Sequence, residues 1–493
     1  SSSEDENGEV VKRIREYKKM VWSNTLSYLT TFNNIHHLDF LAGYEIDDTY
    51  NDYLSGEAYN FTTPDKHAIS NGMKTVSVGG SDSRYRLVSY LSRLNYDYKN
   101  KYYLGASFRV DGSSRLHRDN RWGTFWSVSG AWRTIEEEFM QPVKDWLTDL
   151  RIRASYGVNG TLPSDYFGYM GLSSISGGYL EQPGIQMSQI ANPNLKWETN
   201  YNMNIGLDFG FWDRLNFTIE YYTRTTKNLL MDCPVSMTTG FSSYLMNIGE
   251  VKNKGIELTI NSTNIKIKDF NWNTTFNLGH NSNKVVKLDG EQTQIVSGTQ
   301  IHKVGSSYRT FYVQEFAGIN PETGNPLFYT NELDENGNYI KEITENSKNA
   351  QFIPYKHAEP TVNGGISNSL RYKWLDLNFL FSYQFGGYSY DTWAQKTEHG
   401  GYDSYANIPT YYRDSWKKPG DQTNIEVYMP GKSSSVSMHK ITSSRRIHST
   451  DYFRLKNITF GITLPKEWTN KINIGNVRFY ASASNLWTWA AYD

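Results

Sequence analysis

The chain has 493 residues, a net charge of −1 and a single cysteine, so it carries no global basic field for nucleic acid and cannot form an intrachain disulfide. Hydrophobic residues make up 38% and aromatics 15%, with 37 Tyr and 14 Trp. A soluble globule of this length needs a richer apolar core, whereas strands with one apolar face and aromatic girdles do not.

The first residues, SSSEDENGEVVKRIREYKK, run from acidic to basic without an apolar stretch, unlike a signal peptide. No segment approaches the ~18 uninterrupted apolar residues of a membrane helix. The best run, Leu375–Phe385, is broken by Asp376 and Asn378. A chain of this kind crosses a membrane only as strands.

About 15 strand candidates follow in order. Trp22–Phe32 and Leu38–Asn51 flank the turn-prone pair Asn33-Asn34. Arg84–Tyr98 and Tyr102–Asp111 flank Lys99-Asn100-Lys101. In the second of these, Tyr102, Leu104, Ala106, Phe108 and Val110 oppose Tyr103, Gly105, Ser107, Arg109 and Asp111. A side-chain period of two puts one row against an apolar medium and the other against polar groups.

Trp122–Arg133 continues the pattern, Ile135–Trp146 reads as a short helical turn, and Leu150–Val158 alternates again. Tyr201–Phe209, Leu215–Lys227, Gly255–Asn264, Phe270–Asn281 and Tyr308–Gly318 come next. Asn363–Tyr372, Leu375–Phe385, Tyr452–Leu464 and Val477–Leu486 complete the set. Connections are either tight, as at Gly210–Arg214 and Lys373-Trp374, or long, as at Asp52–Ser83, Asn159–Glu198 and Gly386–Asp451. Short turns alternating with long loops mark an outer-membrane barrel, turns on the periplasmic side and loops outside. The expected fold is therefore all-β, a transmembrane antiparallel β-barrel forming one domain over residues 1–493. Cys233, before Pro234, is expected in a connection and to be structural or incidental rather than reactive. No obvious closing strand follows Trp489, so the chain is expected to lack an N-terminal portion and the last strand or strands of a longer protein.

Several segments carry a specific resemblance. Ser89–Arg133 resembles the middle barrel of SusC/RagA-type TonB-dependent transporters of Bacteroidota, and Leu150–Gly160 (LRIRASYGVNG) is similar to their next strand. Asn192–Thr199 (NPNLKWET), Asn247–Glu257 (NIGEVKNKGIE), Trp416–Asp421 (WKKPGD), Tyr452–Pro465 and Val477–Leu486 follow in the family's order. The resemblance implies a complete barrel of about 22 strands around an N-terminal plug, embedded in the outer membrane of a Gram-negative cell. It implies a SusD-like surface lipoprotein as lid, energy from TonB-ExbB-ExbD, a glycan or oligopeptide as substrate, and no cofactor or nucleic-acid partner. A metal-chelate receptor of the same architecture, a passive porin and a non-transporting surface glycan-binding β-protein are the alternatives.

Arg93, Asp97, Arg109, Asp111, Arg151 and Arg153 fall on the polar faces and are candidates for contacting a plug. The competing expectation is ordinary pairing between adjacent strands. Loop aromatics are the candidates for substrate or lid contact, because flat rings with polar edges stack on sugars and peptide side chains. They are Tyr166, Tyr169 and Tyr179 in one loop, and Tyr388, Tyr390, Trp393, Tyr402, Tyr405, Tyr411, Tyr412 and Trp416 in another. Packing of the loops together, or a place in the outer aromatic girdle, is the plainer reading. Asp334–Asn338 superficially resembles a calcium loop but places its glycine fourth rather than sixth, so a hairpin turn is expected. His36 and His37 adjoin on a strand and point to opposite faces, poor geometry for a metal. No constellation of catalytic residues is expected.

Overall fold

The computed structural model describes residues 8–63, 65, 67–179, 182–288, 293–401, 407–429 and 441–492, with the side chains of 74–76, 176–179, 182–183 and 472 outside that description. Among the described residues fourteen strands of one sheet hydrogen-bond in the order in which the chain makes them. They are β1 (Glu9–Phe32), β2 (His36–Phe61), β3 (Gly72–Tyr98), β4 (Tyr102–Ser113), β5 (Trp122–Trp132), β6 (Leu147–Thr161) and β7 (Glu198–Phe211). Then come β8 (Leu215–Pro234), β9 (Ser243–Lys266), β10 (Phe270–Leu288), β11 (Val362–Tyr372), β12 (Leu375–Phe385), β13 (Tyr452–Thr463) and β14 (Arg478–Ala490). Two compact units divide the chain: residues 1–132, 154–203 and 226–248 in one, 133–153, 204–225 and 249–493 in the other.

In the first unit the tight turns are made by pairs in the left-handed region, Asn33 and Asn34 at φ 51° and 59°, Lys99 and Asn100 at 55° and 51°. Two consecutive positive φ values give the primed turn whose twist matches its flanking strands. The row predicted to face an apolar medium does face outward: Leu104 is 56% and Phe108 49% exposed. Two aromatic girdles bound this row. Tyr98, Tyr102 and Trp132 stack at the turn end with centroids 6.3 Å apart, and Tyr44, Tyr90 and Trp122 meet at the other end at 5.1 and 6.4 Å.

Along β4 the girdles lie between the Tyr102↔Trp132 and Gly112↔Trp122 pairs. That span is about 33 Å of strand. A tilt of ~40° reduces it to roughly 25 Å, the height of an outer-membrane apolar band. The girdles thus mark where lipid begins and ends.

Beyond the outer girdle β2 and β3 stay paired to Phe61↔Gly72, with one register shift between Glu57 and Ala58, whereas β4 pairs with β3 only from Leu87 to Tyr98. β1, β2 and β3 therefore project as a three-stranded sheet past the end of β4. This corrects the expected Asp52–Ser83 loop, most of which is strand. Cys233 is likewise the penultimate residue of β8 and buried, instead of lying in a connection.

In the second unit, β10 to β14 pair successively and antiparallel. Leu377, Phe381 and Tyr383 share a face with Phe460, Leu455 and Phe453, their cross-strand partners. Trp487 and Trp489, opposite Leu455 and Phe453, extend that apolar face onto β14. Asp376, Asn378, Tyr452 and Arg454 lie on the other. Residues 294–357 form small sheets outside the wall: Gln294–Ser297, Gln300–Lys303, Thr310–Gln314 and Phe352–His357 pair in one, and Phe316–Ile319, Pro326–Tyr329 and Ile343–Thr344 in another. The expected wall strand Tyr308–Gly318 is therefore two short strands of this loop structure. Phe311, Val313 and Phe328 are buried within it, which is why the segment looked apolar enough to be wall. Asp334–Asn338 forms the expected hairpin turn, Asp334 Oδ1 accepting from the N–H of Asn336 and Asn338.

Candidate functional site

The polar-face charges come first. Arg93 Nη2 donates to Asp39 at 3.1 Å, and Arg109 Nε donates to both oxygens of Asp111 at 2.7 and 2.9 Å while its Nη2 reaches Ser89. Arg153 is held by Asp208 at 2.8 Å and by Glu220 at 2.6 Å, and Thr218 also donates to Asp208. Asp97 accepts from the N–H of Asn100 and so caps its own turn. Arg151 Nε is buried without a hydrogen-bond partner among the described residues. Neighbouring strands thus pair Arg93 and Arg153, whereas Arg109 and Asp111 pair along β4 itself and Asp97 serves its own turn.

Tyr166 and Tyr169 pin their loop to the wall. Arg115 lies between Tyr85 and Tyr166, its guanidinium 4.0 and 4.4 Å from the two ring centroids, and donates to the Pro163 carbonyl. Tyr169 packs on a buried cluster of Leu116, Phe125, Leu195 and Trp197. In that cluster the Trp197 ring meets Phe125 edge-on at 5.2 Å and its Nε1 donates to the Arg121 carbonyl at 3.0 Å. Gly123 and Gly160 make the space for those rings: a Cβ at Gly160 would come 2.2 Å from Phe125 and 2.9 Å from Trp197. Asn247 closes the arrangement by exchanging hydrogen bonds with both backbone groups of Lys196. The motif residues of the 192–198 and 247–257 stretches are in this way loop anchors.

In the second unit Trp416 Nε1 donates to the Pro321 carbonyl, and a lysine lies over Tyr388. Tyr412 is buried, donating to Glu426 at 2.9 Å, and Tyr411 donates to Glu398. Arg446, 1% exposed, pairs with Glu398, and Arg445 reaches Glu426 at 3.3 Å. Burial pulls the Arg446 pKa down to about 10 and pushes the Tyr412 hydroxyl up; Arg446 stays charged at neutral pH. Tyr402, Tyr405 and the side chain of Tyr179 lie outside the described residues.

Two candidates remain, Tyr390 and Trp393, and they line a cavity of 430 Å3. The strand Tyr388–Tyr390 pairs with Ile447–Ser449, and α1 (Thr392–Thr397) starts beyond it, capped by Asp391. The far wall is the start of β13 with Tyr452 and Arg454. Tyr492 also lines it, stacked on His448 at 3.7 Å with 2° between the planes, and donates to Asp391 at 2.9 Å. Burial pushes the Asp391 carboxyl up, but donation from the Ala394 N–H and Tyr492 outweighs it, leaving Asp391 below the ordinary 3.8. Burial lowers His448 below 6.5, so its ring is neutral at pH 7. Asp391, His448, Asp451, Tyr452, Arg454 and Tyr492 were not singled out from sequence. Alternation places Tyr452 and Arg454 on one face, but no local pattern brings them to residues some 60 positions earlier. Among the described residues no group of three or more His, Cys, Asp or Glu is placed to hold a metal.

Girdled strands in chain order, tight turns at one end and folded loops at the other define the class: a β-barrel of the outer membrane. The chain belongs to the TonB-dependent receptor β-barrel family, whose model matches residues 4–486, and within it to the SusC/RagA type. It is 32% identical to TonB-dependent receptor P3 of Formosa agariphila over 98% of this chain and 49% of that protein. It is 30% identical to TonB-dependent receptor SusC of Bacteroides thetaiotaomicron over 90% of this chain and 44% of that one. The solved structure of the RagAB peptide transporter superposes with a TM-score of 0.85 at 27% identity, covering 98% of this chain and 53% of its counterpart. The chain spans about half the length of these relatives.

Proposed function

We propose that the complete protein imports a sizeable nutrient, a glycan or an oligopeptide, across the outer membrane. A SusD-like surface lipoprotein serves as the lid, and TonB-ExbB-ExbD supplies the energy. The observation that carries this reading is the superposition on the RagAB peptide transporter, which spans 98% of this chain. The polar-face charges are proposed to face a plug, held ready by their strand partners. The loops, anchored through Trp197 and Arg115, present a fixed mouth instead of a mobile fringe. The test is uptake of labelled oligosaccharide and peptide mixtures by cells carrying the full-length protein with its lid. Uptake is expected to stop on deletion of tonB. Uptake that persists without TonB sinks the energised-import reading in favour of a passive pore. Accumulation of ferric chelates alone would favour the metal-chelate receptor.

A further inference from the structure

The cavity bounded by Tyr390, Trp393 and Tyr452 has a place and a chemistry of its own. Tyr452 pairs with Ala490 at one end of the β13–β14 ladder, and Thr463 pairs with Arg478 at the other. The Thr463 end is the tight-turn end, because Leu375, just after the Lys373-Trp374 turn, pairs with Ile462. The cavity therefore sits where β13 and β14 emerge among the long loops. Tyr452 and Arg454, which line it, lie on the polar face of the wall, since Phe453, Leu455, Trp487 and Trp489 take the apolar one.

Its rings are backed on one side. Lys396 Nζ lies 5.2 Å from the Trp393 centroid, the Arg454 guanidinium 5.1 Å from Tyr452, and His448 stacks on Tyr492. Each ring is thereby fixed while Trp393 stays 74% exposed, a platform rather than a core residue. Acceptors and donors surround it. Asp451 Oδ1 takes the Gly386 N–H at 2.6 Å, and its Oδ2 has no partner among the described residues. Arg454 spends Nε on Thr488 and lines the same cavity, as do Ser389 and Thr392, whose hydroxyls can donate or accept.

The charges decide between ligand classes. Arg454 and Lys396 oppose a cationic side chain, and Asp391 and Asp451 oppose an anion. A neutral ligand with many hydroxyls and a flat, C–H-rich face meets all of these groups at once: rings stack on the apolar face while carboxylate and guanidinium take hydroxyl pairs. At 430 Å3 the cavity lies at the small end of the ligand-pocket range of about 300–1,000 Å3, enough for a short segment of a chain.

We propose that this cavity is a saccharide subsite, with Trp393 and Tyr452 as stacking platforms and Asp451 and Arg454 as the hydroxyl-binding pair. The assignment rests on the import reading and selects glycan over oligopeptide. The test uses the full-length protein purified in detergent with its lid lipoprotein, applied to arrays of neutral oligosaccharides and of mixed-sequence peptides. Trp393→Ala is expected to weaken glycan binding about tenfold, the scale of one lost aromatic platform, with Trp393→Tyr restoring most of it and Arg454→Gln weakening it comparably. Because Trp393 is so exposed, its truncation leaves the fold intact, and an unchanged heat-modifiable band on gels checks this. Glycan binding unmoved by Trp393→Ala, or a wild-type protein that binds peptides and not glycans, overturns the assignment. Energised uptake measured in parallel with wild-type cells tests import itself, so the two ideas fail separately.

Discussion

Trp197→Ala tests whether the loop anchor is the source of order at the mouth. The indole is 8% exposed, packs on Phe125, and gives its only N–H to the Arg121 carbonyl. Truncating a buried Trp costs about 3–5 kcal/mol, and the stranded carbonyl adds about 1 kcal/mol. Taking about 4 kcal/mol for the local unit, the open fraction of the 162–197 loop rises about a thousandfold. Chymotrypsin reads this directly, because Tyr166, Phe167 and Tyr169 lie in that loop and opening is fast relative to cleavage at low protease. Trp197→Phe keeps the ring but loses the N–H, and is expected to raise cleavage only about fivefold to tenfold. Cleavage of Trp197→Ala within about threefold of wild type would show that the cluster does not hold the loop, since that ratio corresponds to less than 1 kcal/mol.

Other perturbations follow from the same packing. Gly160→Ala drives a methyl into Phe125 and Trp197; the folded, heat-modifiable fraction on cold gels should fall sharply, and an unchanged fraction would contradict the close approach. Arg446→Ala leaves Glu398, only 10% exposed, with its principal cation gone. A loss of about 3 kcal/mol in local stability is expected, read as lost amide-exchange protection over residues 392–399. Burial raises the Glu345 carboxyl, but hydrogen bonds from Asn325, Thr323 and Asn320 outweigh it, and the pKa falls below the ordinary 4.5. A depressed carboxylate contributes stability above the unfolded value, lost as pH falls through the folded one. The protection factors of the amides of residues 320–325, which correct for slower intrinsic exchange in acid, should therefore fall on acidification below about 4.5, and Glu345→Gln should abolish that dependence.

What the sequence made legible depended on contact with lipid. Where a strand crosses the apolar band, as at Tyr102–Val110, one face must be apolar and the period of two is plain. β2 and β3 beyond Tyr44 and Tyr90 stand in water, so residues such as Asp52, Ser55 and Ser81 carry no such period and looked like loop. The strands of residues 294–357 are two to six residues long, too short for any period, and Tyr308–Gly318 was misplaced for that reason. Alternation placed the polar-face charges in a row, but partners such as Arg153 with Asp208 and Glu220 come from strands about 55 to 67 positions away, visible only once the ladder is built. The motif residues Gly160, Trp197 and Asn247 were recognisable as words of a family. Their physical meaning, a glycine-lined recess filled by a loop tryptophan, required the fold.

The projecting sheet of β1, β2 and β3 sets where this chain can tolerate change. Its ladder runs in one register from His36↔Tyr98 at the turn to Glu57↔Ser77, beyond the outer girdle, and slips by a single residue before Ala58↔Thr75. A residue inserted between those limits would send every side chain beyond it to the opposite face, placing wall charges in lipid and girdle rings in the lumen. Length variation is therefore confined to the bulge and to the tip at residues 62–71. New contacts with the outside must arise there by extending the tip, while the forty or so residues leading to it can change only by substitution.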